Sequence, residues 1–271
     1  MQTKPSTKLS SFEGRILSWA QMTGTLCADN KKIGDALRFQ PVQCQNILSK
    51  MSRRGLIVQL QRGLYLLPEK LPPGGVWQPP ADTAVWFFLT AKKASWQETG
   101  AAAFNYYGLS EQVANQTVIY NDKISATRKI GCLRIVFIKV PGLRLGGVVE
   151  LDSPADAKIK RRVGSLARVV LDAVYDYSRF GTLPRAYRWI EERKADKKFL
   201  KELVRLSLRY GNIASLRRIG WFLERLDVSY SIYAPLLKGL KASKSFIPAD
   251  PTSPKKGRTN PRWAIVENLH F

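Results

Sequence analysis

Apolar residues in the first fifty positions recur at helical spacing. In SSFEGRILSWAQMTG, Phe12, Ile16, Leu17 and Trp19 or Ala20 share one face, with Ser11 as N-cap and Gly24 beyond the end. DNKKIGDALRF predicts a short second helix capped by Asp29 or Asn30, with Ile33, Leu37 and Ala36 inward. Pro41 suits the first turn of a third helix, where Cys44, Ile47, Leu48 and Met51 fall at i, i+3, i+4 and i+7. After Gly55 the period shortens: LIVQL and LYLL, around Gln61, Arg62 and Gly63, predict two strands and a turn.

The Pro/Gly-rich stretch from Pro68 to Pro80 interrupts any regular element and predicts a boundary near residue 70, giving domains 1–70 and 71–271. Beyond it, ASWQETGAAAFNYYGL fits a helix ending at Gly108, and QTVIYND and LRIVFIKVPG are β-rich strands connected by DKISATRKIG. Helical spacing returns in SLARVVLDAVYDYSRFG (Ser165 to Gly181), then in LPRAYRWIEERK, KKFLKELVRLSLRYGN and IASLRRIGWFLERLD. RWAIVEN predicts a last strand returning to the sheet. The fold class is α+β: an N-terminal winged helix-turn-helix followed by a mixed α/β domain, with strands mainly in 117–150, helices mainly in 155–240 and a mostly helical end.

Charge changes the picture from a fold to a partner. The 271 residues hold 44 Lys plus Arg against 21 Asp plus Glu, a net +23 with a pI near 10.2, which favours polyanions and nucleic acid first. The excess is uneven: +7 over residues 1–70, +3 over 71–150 and +13 over 151–271. Cys27, Cys44 and Cys132 are far apart and His270 is the single histidine, so no Cys/His metal site is expected and the cysteines read as reduced thiols of a cytosolic protein. The start of the chain has no apolar leader core and no run approaches 18 apolar residues, which predicts a soluble, cytoplasmic protein with no membrane partner.

The outer face of the third helix carries Val42, Asn46, Ser49, Lys50 and Arg53, flanked by Gln43 and Gln45, with no acid among them. Gln43, Asn46, Ser49 and Lys50 are the types that read base edges in a major groove. Lys31, Lys32, Arg53, Arg54 and the wing-tip Arg62 are placed to meet phosphates or an adjacent minor groove. KIKRR, with Arg161 and Arg162, reads as a solvated helix start or a phosphate track, and Arg217 and Arg218 are further basic candidates. Tyr106 and Tyr107 fit a core more readily than a base-stacking platform. A phosphate loop and a Ser-His-Asp or Cys-His arrangement are absent, so the chain reads as a binding protein that needs no cofactor or metal. The alternative is a Mg²⁺-dependent nuclease built on Glu150, Asp152, Asp156 and Lys158, although Pro154 interrupts that stretch. A broader nucleic-acid-binding protein using the basic C-terminal domain is another, and a winged helix serving as a protein-interaction module is a third.

Five stretches, in order, resemble the AbiEi antitoxins and transcriptional regulators of the AbiE (type IV) toxin-antitoxin systems: LSKMSRRGLIVQLQRGLYLL, GAAAFNYYGLSEQ with TVIYND, RVVLDAVYD, GNIASLRRIGWFLERL and NPRWAIVEN. The resemblance implies a winged helix that binds inverted repeats of double-stranded DNA in its own promoter and represses it. It also implies a C-terminal antitoxin domain counteracting a nucleotidyltransferase-like toxin, with or without direct contact. By position it makes Gln43, Asn46, Lys50, Arg53 and Arg62 the DNA contacts, and it matches Arg217 and Arg218 to an Arg-Arg helix whose role stays open.

Overall fold

The computed structural model describes residues 8–111, 114–153, 156–240 and 245–269. These form two compact units: residues 1–94 with 127–135 and 152–161, and residues 95–126, 136–151 and 162–271. The first unit therefore runs past the expected boundary near residue 70. The Pro/Gly stretch is tied down rather than loose, since Trp77 N–H donates to Gly55 O at 2.8 Å and the Gln78 side chain accepts from Cys132 N–H at 2.8 Å.

The first unit opens with α1 (Ser11–Thr23), β1 (Cys27–Asp29), α2 (Asn30–Leu37), α3 (Pro41–Arg53), β2 (Val58–Gln61), β3 (Leu64–Leu66) and α4 (Ala81–Ala91). The three strands make an antiparallel sheet ordered β1-β3-β2. The cap of α1 is Ser10, not Ser11, because Glu13 at the third helical position completes a reciprocal capping box with it. Asp29 caps α2 by accepting from Lys32 N–H at 2.7 Å. Ile16, Ile33, Cys44, Leu48 and Met51 are fully buried, as their spacing predicts, and so are Ile57 and Leu66, while Ala36, expected inward, is exposed and Phe12 stays 41% exposed and lies edge-on to Phe39.

The chain continues through β4 (Trp96–Thr99), α5 (Ala101–Tyr106), β5 (Thr117–Asn121), β6 (Ala126–Ile130), β7 (Leu133–Lys139), β8 (Val148–Asp152) and β9 (Lys160–Gly164). They form a six-stranded mixed sheet ordered β6-β7-β5-β4-β9-β8, with β4 antiparallel to β5 and parallel to β9. Two expectations change here. The helix expected from residue 94 to Gly108 is split, because Gly100 at φ +71° ends the buried strand β4 before α5 starts. The KIKRR stretch expected to start a helix is largely strand β9, and the expected connector DKISATRKIG contains β6.

In the second unit the helices α6 (Leu166–Tyr175), α7 (Tyr177–Phe180), α8 (Arg185–Glu191), α9 (Lys197–Tyr210), α10 (Ile213–Arg225) and α11 (Tyr230–Lys238) enclose one large core. A separate small sheet follows: β10 (Ile247–Pro248), β11 (Arg258–Asn260) and β12 (Ile265–Glu267), ordered β10-β12-β11. The final strand thus joins this sheet and not the six-stranded one. Gly220 of α10 lets the helix lie on the Trp263 indole, since a Cβ there would stand 2.1 Å from Trp263 Cζ3.

Candidate nucleic-acid interface

The apolar stripe of α3 settles which side chains face out. With Cys44, Leu48 and Met51 buried, Val42, Gln45, Asn46, Lys50 and Arg53 are exposed, and Gln43 and Ser49 are half-buried at the edges. The face therefore offers two amides and two cations around an apolar Val42 that is 72% exposed.

One backbone bond and one thiol bond join this helix to its neighbours through Asn30. Asn30 N–H donates to Gly63 O at 3.1 Å, fastening the start of α2 to the β2–β3 turn, and the Cys44 thiol donates to Asn30 O at 3.5 Å. Gly63 at φ +77° makes the turn tight, and Arg62 beside it is exposed. Lys31 and Lys32 follow Asn30 directly and are exposed as well. The α2 start, the α3 face and the turn are thereby held together, and Asn30, whose sequence signal was only that of a cap, is the link. Lys31, Lys32, Lys50, Arg53 and Arg62 have no carboxylate partner among the described residues.

Arg54 behaves differently. Its guanidinium is 2.6 Å from Glu13 Oε2 and donates to Lys8 O at 3.1 Å, so the fold uses it as a brace between α3 and α1 rather than as an outward phosphate contact. Burial by itself raises the Glu13 carboxyl, but the Ser10 N–H and the Arg54 guanidinium outweigh it and hold the carboxyl below its ordinary value of 4.5. A depressed folded pKa gives stability that is full above the unfolded value and lost as pH falls through the folded one. Glu13→Gln is accordingly expected to cost about 1.5–3 kcal/mol at pH 7, with a narrower gap to the unaltered protein at pH 3. Urea midpoints at both pH values check it; an equal gap at pH 3 contradicts the ion pair.

The remaining basic candidates divide. Arg217 and Arg218 are 6% and 4% exposed: Arg217 donates to Ser245 O at 3.1 Å, and Arg218 donates to Pro248 O at 3.2 Å and lies over the Tyr177 ring. Both are engaged within the fold, which is one of the roles left open for them. Arg162 is half-buried, 3.3 Å from Glu150 Oε1, and Arg161 is half-buried on the same strand. Sequence reasoning passed over Arg128 and Lys129, exposed on β6 within the same compact unit as α3, because a short, mostly polar strand leaves little periodicity to read. Arg128 stacks over Phe88 of α4 at 5.2 Å.

A cavity of about 570 Å³ opens at the C-terminal end of α3, lined among others by Arg53, Gln59, Trp77, Gln78 and Gly131. The acids considered for a nuclease do not converge: Asp152 pairs with Lys160, Glu150 with Arg162, and Asp156 accepts from Lys158 N–H in its own turn. No metal-holding group of acids, His or Cys occurs among the described residues, and Pro154 and His270 lie outside them. Likewise no helix among the described residues is long and apolar enough to cross a membrane.

The solved structure of the RV2827C protein from Mycobacterium tuberculosis is similar to this chain in fold, at a TM-score of 0.64 and 13% identity, over 99% of this chain and 95% of that one. No family model and no curated protein matches the chain.

Proposed function

We propose that the chain is a sequence-specific duplex-DNA-binding repressor. In this reading α1 to β3 form a winged helix-turn-helix, α3 enters the major groove and the Arg62 turn is the wing. The observation that carries it is the outward face of α3, where amides and cations stand together with no acid, next to the two basic segments fastened to it through Asn30. Amides suit adenine edges, Lys and Arg suit guanine edges or phosphate, and the flanking cations fix register without reading sequence.

The resemblance to AbiEi regulators extends the proposal. The DNA is then the promoter of the chain's own operon, and the protein is an antitoxin that counteracts a nucleotidyltransferase-like toxin from the cytoplasm. Footprinting on the DNA upstream of its gene tests the core reading. The expected result is protection of inverted half-sites whose centres lie about 34 Å apart or a multiple of it, with affinity falling steeply as salt rises. Uniform or absent protection refutes it.

A further inference from the structure

We infer that α9 carries a second polyanion surface, fitted to the phosphate backbone of duplex DNA and independent of α3. Its exposed side presents Lys197, Lys201, Arg205 and Arg209 at i, i+4, i+8 and i+12, with Lys198 beside them. Like charges four apart repel along a helix and weaken it. The sequence nevertheless places four in one row, where Asp196 caps the N-terminus by accepting from the Lys198 and Phe199 N–H groups and a single acid lies within the helix. That acid, Glu202, accepts from the Ser165 hydroxyl at 2.8 Å and reaches Arg205 only at 4.0 Å.

The opposite face explains why the helix survives. Phe199, Leu200, Leu203, Val204, Leu206 and Tyr210 are buried in the core, so packing holds α9 while Lys197, Lys201 and Arg209 of its charged row have no carboxylate partner among the described residues. That burial also selects the partner. An anionic membrane surface is met by helices that put an apolar face into the lipid, and here that face is already covered, leaving Leu208 as the exposed large apolar residue of the helix. The density of charge favours a duplex. Twelve residues rise about 18 Å, and that length of duplex carries about five phosphates per strand, against five cations on α9.

The test uses the full chain and the variant Lys197→Gln/Lys201→Gln/Arg205→Gln/Arg209→Gln, titrated with a scrambled duplex over a range of salt. Single-stranded RNA and phosphatidylserine vesicles serve as the other arms. The expected result is a plot of log affinity against log salt that is shallower by about 3 to 4 for the variant on duplex, since each lost phosphate contact removes about 0.9. The variant should also melt no lower than the unaltered protein at low salt, because repulsion has been relieved. Should it misfold, Lys201→Gln alone is read instead, with an expected decrement of about 0.9. An unchanged slope on duplex overturns the assignment, whatever happens on RNA or vesicles. So does a loss on RNA or vesicles that exceeds the loss on duplex. The outcome does not depend on α3, which is intact in every variant.

Discussion

Replacing Asp172 with alanine is expected to lower stability by roughly 3–5 kcal/mol, the cost of leaving buried charge without its partner. Asp172 is fully buried on α6, where Oδ1 accepts from Arg168 Nε at 3.0 Å and Arg144 Nη2 at 3.3 Å, and Oδ2 from the Thr99 hydroxyl at 3.2 Å. The two guanidiniums in turn tie distant backbone together: Arg168 donates to Gly146 O and Arg144 O, and Arg144 donates to Tyr210 O. One carboxylate thus neutralises two cations that clamp the loop before β8 to α6 and to the end of α9. Asp172→Asn separates charge from volume, because it keeps the shape and leaves both guanidiniums uncompensated. Most of the loss should persist in it, seen as a melting point lower by roughly 6–20 °C. A drop of less than about 1 kcal/mol in Asp172→Asn would mean that solvent, not Asp172, compensates the pair.

This network also marks where sequence reading stops. The helix carrying Arg168 and Asp172 was legible from Leu166, Val169, Val170, Ala173 and Val174, yet its two charged residues sit four apart and look like an ordinary solvated pair. Only the arrival of Arg144 and Thr99 from 28 and 73 residues away buries them. The same rule separates Arg53 from Arg54. Exposure of Arg53 follows from the period of α3, while the partner of Arg54 lies 41 residues back in α1.

Strands were harder than helices for a related reason. β4 is buried on both faces and shows no alternation, so its neighbours in Ala101 to Phe104 drew it into a helical pattern. β1 is three residues long and is defined by pairing with β3, which no local signal announces. By contrast, the α3 face was legible almost residue by residue, since an amphipathic helix fixes its own exposed side. What the sequence did not show was the Asn30–Gly63 bond that sets the basic turn of α2 beside the β2–β3 turn.

That face supplies the other large effect. Asn46→Ala with Lys50→Ala is expected to weaken binding to the footprinted operator by about 2–6 kcal/mol, some 30-fold to 10⁴-fold, if both side chains read base edges. Both are exposed, so the fold should be left intact with an unchanged melting point. Scrambled duplex isolates the mechanism. There the double variant should lose only the charge of Lys50, a salt slope shallower by about 0.9, and Arg62→Ala on the turn should lose the same amount on every sequence. Equal losses on operator and scrambled DNA would reduce the α3 face to a counter of phosphates and remove specificity from the proposal. In cells the double variant separates the two halves of the reading. Repression should fail because operator binding fails, while protection from the toxin should persist if a surface elsewhere in the chain neutralises it. Loss of both together would instead place neutralisation itself in repression, through the amount of toxin made.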